Sequence, residues 1–320
     1  MVRRVVDAVD PVEAFFAAHR AGELVGLPTS GTSGRARTVV RTTASWVDSF
    51  SAVTELAGLG RGARVWVPGP LSATMNLFAA VHAQAVGAVL VGRAADATHL
   101  QLTPSGLRRL LDEDAGLSGR TAVVAGDRLE STLRVSGEAA GLRIAHYYGA
   151  AELSFVGWGT DSVDLQPFPG VELDVRDAVI WVRSPFVAER VDGEPGQFDQ
   201  DAAGFATVGD RGQWRDGRLL VHGRDDAVVT GGVTVLLADV EAALRPGLVG
   251  QVTVVGLPHI QLGEVVAAVL TDHRDRQAAR LAAARLGPAR PLRWFVRDRL
   301  PLTPAGKVDR QTLARELVER

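Results

Sequence analysis

The chain has 320 residues, of which 46% are hydrophobic and 22% are charged, with a net charge of −2 and no cysteine. This length allows one large or two moderate domains with true cores. The near balance of charges gives no basic field and argues against nucleic acid as a partner. The lack of cysteine excludes a disulfide framework, a cysteine metal site and a thiol nucleophile.

The N-terminal residues and the hydropathy pattern bear on location. Asp7, Asp10 and Glu13 place acids where a secretory signal would need an uninterrupted apolar core. No apolar run reaches the roughly 18 residues expected of a membrane span. We therefore predict a cytoplasmic protein without a membrane span.

Short β-branched runs alternate with alanine-rich amphipathic stretches in the first half of the chain. Strands are predicted at residues 63–68, 88–91 and 121–125, and helices at residues 74–84 and 104–112. This alternation predicts an α/β sheet covered by helices.

The pattern of apolar and turn residues changes twice in the second half of the chain. From residue 163 to about residue 223, strands separated by Pro, Gly and Asp turns predict a β-rich part. The remaining pattern predicts a small α+β domain made of a hairpin, helix 237–244, strands 249–255 and 264–270, helix 275–286 and strand 292–296. We therefore predict an N-terminal domain over residues 1–223 and a C-terminal domain over residues 225–320.

A run of hydroxyl and glycine residues follows a predicted strand at residues 23–27. The run consists of Thr29, Ser30, Gly31, Thr32, Ser33 and Gly34. Such a run lets backbone N–H and side-chain O–H groups face one anion, which predicts a phosphate-binding loop. It is not a Walker loop, because Arg35 and Ala36 stand where the Gly-Lys-Ser/Thr end belongs. A flexible Ser/Gly turn is the alternative interpretation.

Lys307 is the single lysine among 35 basic residues. Arginine can replace lysine as a surface charge, but it cannot supply a compact ammonium where several oxygens converge. Pro301, Pro304 and Gly306 indicate a constrained loop around it. The pattern favours a lysine that binds a reacting anion over an ordinary exposed cation.

Three further segments carry residues typical of nucleotide binding. Tyr148 offers an aromatic face for a purine, and Glu152 offers a carboxylate for magnesium. Asp210 follows a turn and can accept both hydroxyls of a ribose, and Arg224 lies at the predicted domain boundary. Taken singly, these are a core aromatic, a turn residue and a surface cation.

In this order the motifs resemble those of the adenylate-forming superfamily of acyl-CoA synthetases, peptide-synthetase adenylation domains and luciferases. The match runs from about residue 27 to residue 313. The resemblance implies an α/β adenylate-forming fold that lacks most of the N-terminal subdomain and ends in a small mobile α+β domain. It also implies ATP, Mg²⁺ and CoA as ligands and a carboxylic acid as substrate.

The resemblance implies roles for the matching residues. Thr29 to Gly34 correspond to the phosphate loop, Tyr148 and Gly149 to the adenine site, and Glu152 to the magnesium ligand. Asp210 and Arg224 correspond to the residues that hold the ribose.

The remaining matches concern the predicted C-terminal domain. Asp225 or Asp226 corresponds to the hinge about which that domain rotates. Gly231 and Gly232 correspond to a loop that lines the pantetheine tunnel. Lys307 corresponds to the lysine that joins the substrate carboxylate and the α-phosphate.

Several positions depart from the family pattern. Arg37 stands for a lysine, Ala151 and Val208 for threonines, and Ser72 or its neighbours for a histidine. The loss of one hydrogen bond to a charged group costs about 1.5 to 3 kcal/mol, which slows an enzyme without abolishing it. These changes fit a weak or specialised catalyst.

The layout resembles that of compact o-succinylbenzoate:CoA ligases, while residues 148–155 resemble fatty-acyl ligases. An acyl pocket is predicted between helix 74–84 and residues 125–129 and 147–158, with Arg128 available for a second carboxylate. The sequence predicts an ATP-dependent acid:thiol ligase that acylates CoA. The alternatives are loading of a carrier protein and a degenerate homologue that binds a nucleotide or acyl ligand without turnover. A homodimer that covers an exposed apolar face is a further hypothesis.

Overall fold

A computed structural model describes residues 1–30, 36–113, 116–193, 198–223, 227–231, 233–302 and 308–318. The chain divides into two compact units, Met1–Val221 and His222–Arg320. In the described part of the chain, no helix has the length and apolar character that a membrane span needs.

The helices of the first unit have between 4 and 12 residues. Their bounds are α1 Pro11–Arg20, α2 Ala44–Val47, α3 Phe50–Ala57, α4 Thr74–Ala85, α5 Pro104–Asp112 and α6 Ser131–Ala139. Asp10 caps α1 by accepting from the backbone N–H groups of Val12 and Glu13, and Thr103 caps α5 through Gly106.

The strands of the first unit are numbered in chain order. They are β1 Val2–Arg3, β2 Leu24–Ser30, β3 Ala36–Thr42, β4 Arg64–Trp66, β5 Val89–Val91, β6 His99–Leu102, β7 Thr121–Val124, β8 Arg143–Ala150, β9 Ser154–Gly159, β10 Gln166–Pro167, β11 Glu172–Arg176, β12 Val179–Arg183, β13 Arg190–Asp192, β14 Asp199–Gln200, β15 Ala206–Thr207, β16 Arg211–Arg215 and β17 Arg218–Gly223.

The largest sheet has the strand order β10-β9-β8-β7-β6-β4-β5. β4 to β8 run parallel, and β9 and β10 are antiparallel additions at one edge. A core that includes Val65, Val123 and Ala145 lies on one face together with residues of α3 and α4. A second core that includes Leu100, Ala122 and Ile144 lies on the other face with α5 and α6. The predicted α/β class is therefore confirmed.

Two smaller sheets complete the first unit. One has the order β1-β2-β3-β13, and the other has the order β14-β15-β12-β16-β17 with β11 paired to β12. The described residues between 163 and 223 form strands β10 to β17 and no helix.

The second unit is a sheet with helices packed against it. Its strands are β18 Ala227–Thr230, β19 Val233–Leu236, β20 Val252–His259, β21 Gly263–Leu270 and β22 Arg293–Val296, and its helices are α7 Leu237–Leu244, α8 Arg276–Ala283 and α9 Arg310–Val318. The strand order is β19-β18-β21-β20, with β22 parallel to β21. The predicted strand 249–255 is wrong at both ends, because β20 begins at Val252 and continues through Pro258 to His259. β20 lies at an edge of the sheet, where proline is tolerated.

Two buried histidines make the first unit sensitive to acid. Burial lowers the pKa of His82 and of His146 from 6.5 to about 4. Between these values the unfolded state binds more protons, so stability falls as the pH falls. We expect a loss of about 2 kcal/mol per histidine between pH 7 and pH 5. Urea unfolding at pH 7 and at pH 5 measures this loss of stability. The His82→Leu variant should lose less stability between the two pH values than wild type, because it lacks the contribution of His82. An equal drop in wild type and variant would contradict this account.

Candidate active site

Strand β8 presents neighbouring tyrosines to different surroundings. Its register pairs Tyr147 with Trp158 and Tyr148 with Gly157 of β9. Because successive side chains of a strand point to opposite faces, Tyr147 and Tyr148 face opposite sides of the sheet. One strand therefore supplies a tyrosine to each face of the sheet.

Tyr148 and Asp210 lie together. The Tyr148 hydroxyl donates to Asp210 Oδ2 at 2.6 Å, and the Asp210 residue is 7% exposed. A hydrogen bond to a carboxylate is short and strong and fixes the orientation of both groups. The structure thus brings together the predicted adenine-binding aromatic ring and the predicted ribose-binding carboxylate, which are 62 residues apart in the sequence.

A tight turn holds Asp210 in place. The Gly209 N–H donates to the Thr207 hydroxyl at 3.0 Å, and that hydroxyl donates to the Ile180 carbonyl at 2.7 Å. Gly209 has φ +77°, which favours glycine. The preceding Val208 is 1% exposed and packs in the core. The departure from the family threonine therefore places an apolar side chain in the core, and the turn takes its hydroxyl from Thr207.

Gly149 sets the close approach of β8 and β9. A Cβ atom built on this residue would lie 2.1 Å from the Ser154 carbonyl oxygen, which no side chain tolerates. The strand register also shifts between Tyr148 and Gly149. This bulge lies directly next to Tyr148, so the glycine is required for the local backbone of the site.

The predicted phosphate loop is flanked by paired strands. Ser30 pairs with Ala36, and Thr29 pairs with Arg37, in the antiparallel pair β2 and β3. Gly31, Thr32, Ser33 and Gly34 lie outside the described residues.

Two arginines on β3 carry buried charge. Arg37 and Arg41 are 9% and 0% exposed, and they lie four residues apart on the same face of the strand. Arg41 Nη2 donates to the Phe186 carbonyl at 3.1 Å. Within the described residues, Nε of Arg37 and both Nε and Nη1 of Arg41 have no hydrogen-bond partner. Burial lowers the pKa of Arg41 to about 10, so it stays charged at neutral pH.

Glu152 is the electrostatic partner of Arg41. It is 3% exposed, in the turn between β8 and β9, and its charge raises the pKa of Arg41 against the larger effect of burial. Its backbone carbonyl accepts from Ala188 N–H at 2.7 Å. Among the described residues no group of three or more potential ligands could hold a metal ion alone. A single carboxylate fits Mg²⁺, which binds one or two carboxylates together with waters and substrate phosphates.

A cavity lies on the other face of the large sheet. Its walls come from α3, α4 and strands β4, β6, β7, β8 and β9. The predicted walls 74–84 and 147–158 contribute, but residues 125–129 and Arg128 do not line this cavity. Leu129 packs instead in the core on the opposite face of the sheet.

The other predicted site residues fall in the second unit. Gly231 forms the turn between β18 and β19 with φ +55°, and its N–H donates to the Leu262 carbonyl at 3.1 Å. Lys307, Arg224, Gly232 and both hinge candidates, Asp225 and Asp226, lie outside the described residues. Their roles stay predictions.

The sequence interpretation missed Arg41 and Gln101. Arg41 follows two buried valines on β3, and Gln101 lies between buried leucines on β6. A polar residue inside an apolar strand is the available signal, since a buried polar group requires a partner or a ligand.

Comparisons with curated proteins find acyl-CoA ligases, although no protein-family model matches the chain. A probable 2-succinylbenzoate–CoA ligase of Mycobacterium tuberculosis is 27% identical over 98% of this chain and 93% of that protein. An uncharacterized acyl–CoA ligase of Bacillus subtilis, YhfT, is 24% identical over 91% of this chain and 68% of its own length.

Solved structures show the same fold. ATP-bound MatB from Rhodopseudomonas palustris superposes with a TM-score of 0.83 at 21% identity, over 92% of this chain and 68% of MatB. The amide bond synthetase McbA from Marinactinospora thermotolerans gives a TM-score of 0.79 at 24% identity, over 93% and 69% of the two chains. The chain is therefore similar to acyl-CoA ligases along nearly its whole length and shares the fold of MatB and McbA.

Proposed function

We propose that this chain is an ATP-dependent acid:thiol ligase that forms an acyl-adenylate and passes the acyl group to CoA. The observation that carries the proposal is the pairing of Tyr148 with Asp210 on one side of β8 and a largely apolar cavity on the other. A nucleotide and an acyl group can then meet at the end of one strand. The named acyl-CoA ligase relatives support the same activity.

The reaction joins two anions. A carboxylate oxygen attacks the α-phosphorus of ATP and pyrophosphate leaves; the CoA sulfur then attacks the acyl carbonyl and AMP leaves. The first step needs cations where the phosphorus gathers negative charge. Arg37 and Arg41 place buried positive charge beside the phosphate-loop strands, and we propose that they face the ATP phosphates. Lys307 would supply the ammonium at the α-phosphate.

Asp210 and Tyr148 would hold the nucleoside part of ATP. Asp210 would accept hydrogen bonds from the ribose hydroxyls while Tyr148 stacks on the adenine and orients the carboxylate. Bound Mg²⁺, held by Glu152, would neutralise the phosphate charge. The second unit would act as the small mobile domain that changes position between the half-reactions.

The test is acid-dependent release of pyrophosphate from ATP over a panel of carboxylic acids, with CoA added in a separate arm. We expect turnover with at least one acid and faster turnover with CoA. ATP binding by calorimetry without turnover would support the degenerate homologue instead, which Ala151 and Val208 favour. Stimulation by a phosphopantetheinylated carrier protein, and not by CoA, would identify the other acceptor. A homodimer and a cytoplasmic location stay predictions, and light scattering tests the first.

The Tyr148→Phe variant distinguishes stacking of the ring on adenine from orientation of the Asp210 carboxylate by the hydroxyl. The variant keeps the ring and loses the hydrogen bond to Asp210, so we expect the KM for ATP to rise about 3- to 10-fold with kcat little changed. Because the hydroxyl acts on the ribose-binding carboxylate, discrimination against 2′-deoxy-ATP should also weaken. Unchanged discrimination would show that the hydroxyl does not position Asp210.

A further inference from the structure

The cavity beside α4 contains polar groups that have no hydrogen-bond partner among the described residues. Gln101 is 8% exposed and lines the cavity, and its Nε2 has no hydrogen-bond partner in the described structure. The Tyr147 hydroxyl, which belongs to another lining residue, makes no hydrogen bond with any described residue. An unpaired buried amide costs about 1 to 3 kcal/mol. These groups are therefore available to hydrogen-bond to a ligand.

Strand register places the two groups on the same face. Gln101 of β6 pairs with Val123 of β7, and Val123 pairs with Ala145 of β8. Tyr147 lies two residues beyond Ala145, so its side chain points to the same side. Val123 also lines the cavity. The amide and the hydroxyl thus belong to one wall of one cavity.

The other polar side chains that line the cavity, His82 and His99, already have hydrogen-bond partners. His82 Nε2 lies 2.9 Å from the Thr54 hydroxyl, and burial lowers the His82 pKa to about 4. His99 contacts the Thr98 hydroxyl and the Gly58 carbonyl, and burial lowers its pKa as well. Both imidazoles are therefore neutral at pH 7. No arginine or lysine in the described chain lines this cavity, so a second carboxylate would be buried without a counter-charge.

The remaining wall is aromatic. Phe78 packs edge-on against Phe155 with ring centroids 4.8 Å apart, and Tyr147 stacks on Trp158 at 5.6 Å with an interplanar angle of 15°. All four rings line the cavity. Such walls favour a flat ring or a compact apolar group.

We propose that this cavity binds the body of a ring-sized monocarboxylic acid that carries an uncharged hydroxyl or carbonyl group remote from its carboxylate, and that Gln101 and Tyr147 hydrogen-bond to that group. This inference rests on the proposed ligase function, since it specifies the substrate class of the same site. It separates this chain from an enzyme for dicarboxylates such as 2-succinylbenzoate.

The test uses matched acids that differ by one hydroxyl group. The probes are benzoate with 3- and 4-hydroxybenzoate, cinnamate with 4-hydroxycinnamate, and 2-succinylbenzoate as the dicarboxylate. ATP–pyrophosphate exchange gives kcat/KM for each acid. We expect at least one hydroxylated acid to exceed its parent by about tenfold or more, and Gln101→Leu to abolish that preference while retaining exchange with the parent acid. Tyr147→Phe should weaken the same preference.

A structural role for Gln101 has a different signature. Leucine removes the unpaired buried amide, so the ligand-free variant should unfold at the same temperature as wild type or higher. Gln84→Leu changes an exposed glutamine of α4 that does not line the cavity, and it should leave the preference unchanged. A preference that survives Gln101→Leu, or 2-succinylbenzoate as the best substrate, would overturn the inference.

Failure of the proposed function gives a separate result. If no acid supports exchange, the ligase proposal fails, and the same acid pairs are then titrated by calorimetry into wild type and Gln101→Leu. Tighter binding of a hydroxylated acid by wild type alone would still support this cavity assignment. Binding of neither member of any pair would overturn it.

Discussion

Replacing Lys307 with alanine is expected to lower the rate of acid-dependent pyrophosphate exchange by about 100- to 1000-fold. The reason is that the attacking carboxylate and the α-phosphate repel each other, and a lysine ammonium would neutralise the charge that gathers between them. Lys307→Arg restores the charge but not the compact geometry, so we expect it to recover less than about a tenth of the lost rate.

Arg299→Ala is the matched control for Lys307. Arg299 is an exposed cation close to Lys307 in the sequence, and its removal should leave the exchange rate within about twofold of wild type, as for most surface substitutions. Full activity in Lys307→Arg would show that Lys307 acts as a general cation. Loss of folding, detected as a lowered unfolding temperature, would identify a structural role instead.

Asp210→Ala is expected to raise the KM for ATP about 100-fold, because two ribose hydroxyls would each lose a hydrogen bond to a charged group. The sharpest measurement is a comparison of ATP with 2′,3′-dideoxy-ATP. Wild type should lose affinity for the dideoxy analogue, whereas Asp210→Ala should bind both nucleotides equally.

Asp216→Ala is the control for Asp210. Its side chain is 94% exposed in the turn between β16 and β17, so its loss should change neither nucleotide's affinity. If Asp210→Ala still discriminates between ATP and the dideoxy analogue, the ribose is bound elsewhere.

Hydrophobic periodicity in the sequence predicted several helices and strands with nearly their observed bounds. Helix 104–112 coincides with α5 and helix 237–244 coincides with α7, because both show amphipathic spacing, and α5 also begins after the capping residue Thr103. The predicted strand 121–125 differs from β7 by one residue. Pattern alone suffices where a helix or strand buries one continuous face.

The partners within the site could not be predicted from local patterns. Tyr148 meets Asp210 only because β8 and the turn after β15 approach each other in the folded unit. Residues 125–129, which the sequence predicts as a wall of the acyl pocket, do not line the described cavity, because no local signal tells on which face of a parallel sheet a following loop packs. A polar residue inside an apolar strand marks Arg41 and Gln101 in the sequence, but only the folded structure shows that some of their side-chain nitrogen atoms have no hydrogen-bond partner among the described residues.

Isotope transfer from the acid to AMP tests the acyl-adenylate most directly. An acid with oxygen-18 in both carboxylate positions is incubated with ATP, magnesium, CoA and the protein, and AMP is analysed by mass spectrometry. If the carboxylate attacks the α-phosphorus and CoA then displaces AMP, each AMP formed carries one labelled oxygen and the acyl-CoA carries the other. Unlabelled AMP, or label in inorganic phosphate beside ADP, would contradict an acyl-adenylate intermediate.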